Sequence, residues 1–246
     1  TEGPCRFGQY NLMDRIVFNN LGLKNVDILS PSSINSYQGL DEELRRYLIH
    51  VMICSDILLK MTTKIRPYER TKGDTDELLE KAVKQLETDL GKNLIPKKRM
   101  KEIVSQFASI NTFEEKKPLV GIVGEIYVRC NVYSNGNIID VIEQNEGVPW
   151  DSPMHEWIVY ISYMQRAFKW NRYFNSVKRA EALMTNMYLH KTEQSYYKIA
   201  ASVLHDRHEP TMKDIVDAGA DYLPIDFVGE AILTIGRAIH FARQGA

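Results

Sequence analysis

Apolar positions along the chain recur mostly at helical spacing, so the sequence predicts a helix-rich protein with few strands. Phe7, Tyr10, Met13, Val17 and Leu21 make a first helical stripe, and Gly22 stops it. Val26-Asp27-Ile28-Leu29 reads as a short strand closed by Ser30-Pro31-Ser32-Ser33. From Leu44 to Ile65 runs the most apolar helix, ended by Arg66-Pro67. Arg45, Arg46, Asp56, Lys60 and Lys64 interrupt it. A membrane span needs roughly 20 mainly apolar residues, so the run reads as a core helix instead. Asp74 to Leu90 and Pro96 to Ile110 read as two further helices, each charged on one face.

Leu119-Val120-Gly121-Ile122-Val123 is the clearest strand, an unalternated apolar run of the kind buried on both faces of a parallel sheet. A loop to Gly136, a helix carrying Ile138, Val141 and Ile142, and a short strand at Val148-Pro149-Trp150 complete a βαβ unit. Beyond Pro153 three helical stripes are predicted, on Met154–Phe168, Val177–Tyr188 and Tyr196–Leu204. A last helix opens at Asp226, a good N-cap residue, and carries Val228 to Ala242. The expected class is α/β: a helix-rich, Rossmann-like parallel sheet with a helical insertion. The expected division is a helix-rich α/β segment over residues 1–117, completing or flanking an N-terminal domain, then a Rossmann-like βαβ unit plus helices over 118–246.

Composition narrows the class without naming a function. The 246 residues are 44% hydrophobic and 26% charged, which excludes a disordered or collagen-like chain. Lys and Arg number 31 against 32 Asp and Glu, so bulk charge does not attract a polyanion. Three cysteines, Cys5, Cys54 and Cys130, form no disulfide framework, and no signal-peptide pattern opens the chain. A cytoplasmic setting follows as the expectation. The chain opens on Thr1 rather than Met and stops at Gln244-Gly245-Ala246, straight after a periodic helix. Both ends read as internal to a longer protein.

Three segments concentrate chemistry. In Gly3-Pro4-Cys5-Arg6-Phe7-Gly8-Gln9-Tyr10 a turn precedes a helix, so Cys5 falls where the helix macrodipole favours a thiolate, with Arg6 beside it. A thiolate suits soft metals and iron–sulfur clusters, but one cysteine is not a cluster site. Gly124 to Asn131 leaves the carboxyl end of the predicted strand, where open α/β sheets bind ligands, and offers Glu125, Arg129 and Asn131. It lacks the glycine spacing of a dinucleotide fingerprint and any Walker-type lysine. The stretch 165–179 interleaves Arg166, Lys169, Arg172, Lys178 and Arg179 with Phe168, Trp170, Tyr173 and Phe174, a composition that binds nucleotides or single strands. A helix end whose aromatics pack and whose charges are solvated is the favoured explanation, since the whole chain is near neutral. His205 and His208 share helical spacing before Pro210, where cationic side chains commonly sit.

Gly3–Tyr10, Gly124–Arg129 and Gly229-Glu230-Ala231-Ile232-Leu233-Thr234-Ile235-Gly236 together resemble the acyl-CoA dehydratase activase-related proteins, relatives of the 2-hydroxyacyl-CoA dehydratase and benzoyl-CoA reductase subunits. The resemblance implies a Rossmann-like two-domain fold holding a 4Fe-4S cluster through cysteines spread over the chain. It also implies an ATP-dependent activator that delivers a low-potential electron, and radical dehydration of a CoA thioester. Cys5 matches one cluster cysteine, and Arg6, Gln9, Tyr10, Gly124, Glu125, Arg129 and Asn131 match the parts facing cluster or substrate. The family pattern places further cysteines before the first block and after the last helix, and neither is in this chain. Cys130 stands where relatives carry a small residue, so no ligand role passes to it. The rival expectation is a non-catalytic module docking on the activator or a dehydratase partner, as a homo- or hetero-oligomer.

Overall fold

The computed structural model describes residues 9–30, 39–167, 176–207, 209–225, 227 and 229–246. The chain forms two compact units, residues 1–48 and 49–246. In the first, α1 (Tyr10–Asn20) ends in a Schellman pair: Leu23 N–H donates to the Phe18 carbonyl at 2.8 Å and Gly22 N–H to the Asn19 carbonyl at 3.1 Å. Phe7 lies outside the described residues. Val26–Leu29 is not a strand. Val26 and Leu29 are both exposed, so the segment has no buried face to fix a pairing register.

α2 (Glu42–Ile65) opens where the Asp41 carboxylate accepts the Leu44 N–H at 2.7 Å. It is followed by a 3-10 turn (Arg66–Tyr68), α3 (Asp74–Leu90) and α4 (Lys97–Ala108). Ile53, Cys54, Ile57, Leu58 and Met61 of α2 meet Ala82 and Leu86 of α3 and Met100, Ile103 and Phe107 of α4. Tyr196, Ala200, Val203 and Leu204, from the end of α9 (Ser176–Leu204), complete this core. Each large aliphatic side chain buried here contributes about 1.5–3 kcal/mol.

β1 (Leu119–Ile122) and β2 (Val148–Asp151) pair in parallel, in register from Leu119 opposite Val148 to Ile122 opposite Asp151. Short helices α5 (Ile126–Cys130), α6 (Val132–Asn135) and α7 (Ile138–Gln144) make the crossover, so the expected strand–helix–strand order is present. The class is helix-rich α/β, with one parallel strand pair among the described residues. Burial departs from expectation: β2 is buried throughout, whereas β1 is half-buried along its length. Phe241 packs directly on Gly121, where an added Cβ would lie 2.5 Å from the ring.

α8 (Glu156–Ala167), α10 (Met212–Ala220) and α11 (Ala231–Arg243) build the second core from Tyr160, Ile215, Val216, Ile232 and Leu233. α10 was not expected from apolar periodicity. Its start is a capping box, with Thr211 and Asp214 exchanging side-chain and backbone hydrogen bonds. α9 is one helix of 29 residues where two stripes were predicted. α11 begins at Ala231, and Asp226 and Val228 lie outside the described residues. α10 and α11 touch backbone to backbone. A Cβ on Gly236 would sit 2.0 Å from the Ile215 carbonyl oxygen, and one on Gly219 would sit 2.5 Å from that of Ile232. Among the described residues no helix is long and apolar enough to cross a membrane.

Candidate functional site

A small cleft opens beyond the carboxyl ends of β1 and β2. Val123 and Gly124 continue from β1, and Ser152 and Pro153 from β2. Open α/β sheets place ligands in the crevice beyond the carboxyl ends of their strands. Ser152 holds the strand ends together: its N–H and its hydroxyl both donate to the Ile122 carbonyl, at 3.2 and 3.1 Å. Gly124, at φ +140°, turns the chain away from β1 in a conformation that a side chain would strain.

The residues after that turn divide by task. Glu125 caps α5 by accepting the Val128 N–H at 2.9 Å, and Asn131 caps α6 by accepting the Ser134 N–H at 2.9 Å. Gly124, Ile126 and Arg129 line the cleft. Arg129 Nη1 donates to Asp151 at 2.8 Å and to the Ser152 carbonyl, and Nε reaches the Gly124 carbonyl at 3.4 Å. Burial opposes the Arg129 charge, but Asp151 outweighs it and raises the guanidinium's pKa. Burial in turn lifts the Asp151 carboxyl above its ordinary range.

The opposite wall comes from α8 and α11, through Glu156, Trp157, Glu230, Leu233, Thr234 and Arg237. The Glu230 carboxylate accepts the Ile126 N–H at 3.1 Å across 104 residues of sequence. Burial raises the Glu230 pKa, and the neighbouring charges of Glu125 and Glu156 add to the effect. Behind the wall Arg237 lies between Glu156, at 3.0 Å, and Glu209, at 2.7 Å. Glu209 also pairs with Lys60 of α2. Burial works against the Glu209 charge, yet Lys60 and Arg237 together depress its pKa to about 2.

A second buried chain runs beside the first. Asp56 of α2 accepts the backbone N–H groups of Met154 at 3.0 Å and His155 at 2.9 Å, and the His155 ring Nδ1 lies 2.6 Å away. The other ring nitrogen of His155 is 2.9 Å from Glu193 of α9. Burial disfavours a charged imidazole, but the two carboxylates win and raise its pKa to about 9. Burial also opposes the Asp56 charge, and His155 brings that carboxyl below its ordinary value. Sequence reading missed both chains. The available signal was Asp56 and Lys60, one helical turn apart inside an apolar stripe, a spacing that brings both to one helix face.

Cys5 and Arg6 lie outside the described residues. Gln9 is exposed before α1 and Tyr10 is half-buried at its start. Of the 165–179 segment, residues 168–175 lie outside the described residues, as does His208. Burial pushes the Cys54 thiol up to about 12 and also raises that of the exposed Cys130. Neither setting favours the thiolate that a soft metal needs. No group of three or more His, Cys, Asp or Glu among the described residues could hold a metal ion.

No family model, no curated protein and no solved structure matches the chain.

Proposed function

We propose that this chain is part of a cytoplasmic protein resembling the 2-hydroxyacyl-CoA dehydratase subunits. In this reading the β1–β2 pair is the kernel of a Rossmann-like fold, and the cleft beyond it receives the acyl end of a CoA thioester. One observation carries the reading. Two sequence blocks that bear the resemblance, Gly124–Arg129 and Gly229–Gly236, are far apart in the chain, yet residues of both line the cleft. They are joined there by the Ile126–Glu230 hydrogen bond. Leu233 and Trp157 offer an apolar wall and Thr234 a hydroxyl, a mixture common in small-molecule pockets.

The cluster stands apart from this reading. Cys5 is the one cysteine that the resemblance assigns as a ligand, and the described residues supply no completing set. The ATP-dependent activator is the electron-donating partner in this reading.

The test is calorimetric titration of the full-length protein, purified anaerobically, with a 2-hydroxyacyl-CoA. Thr234→Trp puts a large side chain into the cleft and should weaken binding at least about tenfold, a loss of about 1.4 kcal/mol, with helicity unchanged by circular dichroism. Equal affinity in parent and variant would sink the cleft assignment. Iron analysis of Cys5→Ser is an independent check, and unchanged iron would remove Cys5 as a ligand.

A further inference from the structure

β1 leaves one edge of the strand pair open. Val148 N–H donates to the Pro118 carbonyl and Ser152 N–H to the Ile122 carbonyl, so Val120 and Ile122 turn their backbone groups towards β2. Leu119, Gly121 and Val123 turn theirs the other way, since successive residues of a parallel strand present N–H and C=O to opposite sides. No hydrogen bond falls on those outward groups among the described residues. All four residues of β1 are half-buried. The far edge differs: β2 is buried throughout, and its outward Pro149 has no N–H to donate. An unpaired edge is a template for another strand. Leu119–Val123 is also an unalternated apolar run, of the kind that sheets bury between neighbours.

The open groups are spaced evenly about Gly121, which makes the edge complementary to itself. A second copy of β1, antiparallel across a two-fold axis at Gly121, sets Leu119 opposite Val123 and Gly121 opposite Gly121. Every outward N–H and C=O of both strands then has a partner. Val120 comes to stand opposite Ile122, apolar against apolar. The charges nearest the run select the same direction. Lys116 and Lys117 precede it and Glu125 follows it. Antiparallel pairing carries Lys117 of one copy towards Glu125 of the other, whereas parallel pairing sets lysines beside lysines. Within the chain Lys117 approaches Glu115 at only 3.7 Å, and Glu125 caps α5 while staying half-buried.

We propose that the chain forms a two-fold dimer through the open edge of β1, joining two strand pairs into one four-stranded sheet in the order β2-β1-β1-β2. Such an isologous contact is the commonest symmetry of soluble oligomers, and four strands is an ordinary sheet size where two is not. The proposal is independent of what the cleft binds.

Sedimentation velocity of the full chain over a concentration series should reveal a species of twice the chain mass. Leu119→Pro removes one outward N–H from each copy and leaves the β1–β2 ladder intact. It should raise the dimer dissociation constant at least about tenfold, with circular dichroism unchanged. Cross-linking reads the register in an otherwise unaltered strand. Val120→Cys and Ile122→Cys proteins, mixed and oxidised, should give a disulfide between positions 120 and 122 on peptide mapping, because opposed Cβ atoms stand about 4.5–5.5 Å apart. A monomer at every concentration overturns the proposal and leaves the edge to a strand of a different protein. A dimer that lacks the 120–122 link, or that links 120 to 120, overturns it as well, as does unchanged association of a folded Leu119→Pro variant.

Discussion

Asp56 grips His155 twice through one oxygen: Oδ2 accepts the backbone N–H at 2.9 Å and the ring Nδ1–H at 2.6 Å. The bond joins the middle of α2 to the segment between β2 and α8, which continues into the cleft wall at Glu156 and Trp157. Asp56→Asn leaves a buried imidazole between an amide and Glu193. Breaking a buried pair by removing one partner typically costs about 3–5 kcal/mol. Urea unfolding should show a loss of that size, and a change below about 1 kcal/mol would show that the pair is not held as described.

The same pair sets an alkaline limit. His155 has a folded pKa of about 9 against an ordinary 6.5, so the folded state binds its proton more tightly than the unfolded chain. The stability it contributes is complete below pH 6.5 and is lost as the pH rises through about 9. Glu209 works in the opposite sense: its folded pKa of about 2 lies below the ordinary 4.5, so its contribution is complete above pH 4.5 and fades as the pH falls towards 2. Unfolding free energies measured from pH 6 to 10 should fall across the His155 window, and His155→Gln should flatten that fall.

Gly236→Ala should destabilise the protein although alanine is the better helix former. The new methyl would stand 2.0 Å from the Ile215 carbonyl, a backbone atom that cannot rotate aside. Overpacking of this kind costs about 1–3 kcal/mol, against roughly 1 kcal/mol gained in helix propensity. A lowered thermal midpoint is expected, and a raised one would mean that α10 and α11 separate without cost.

The cysteines should differ in reactivity. Cys130 is exposed and Cys54 is fully buried with its thiol held up near 12. Iodoacetamide followed by peptide mapping should label Cys130 in the native protein, slowly because its own pKa is raised, and Cys54 only in denaturant. Equal labelling of both in buffer would contradict the packing of α2.

The helices that read cleanly from sequence are those with an amphipathic stripe. Ile57, Leu58, Met61 and Ile65 on the apolar run of α2 are buried, whereas Leu44, Leu48 and Val51 nearer its start are half-buried, and α3 and α4 form where helices were expected. The strand–helix–strand order was legible from the unalternated run at Leu119 and the turn residues around it, but the pairing and register of the two strands were not, because they are set by tertiary contacts. α10 was not, because its four buried positions include Ala218 and Gly219, which carry little hydrophobic signal. Of the candidate site, the Gly124–Arg129 side was readable from its position after a strand. The partners of Arg129 and Ile126 were not, since Asp151 and Glu230 reach them only through tertiary packing.

The first core also dictates an order of events in synthesis. α2, α3 and α4 leave the ribosome with a groove that is closed only by Tyr196, Ala200, Val203 and Leu204. At about 5–20 residues per second, the chain between Ala108 and Tyr196 takes roughly 4–18 s to follow. Throughout that interval Lys60 is without Glu209, and His155, once made, is without Glu193. Both buried ion pairs are therefore completed by residues made late in synthesis.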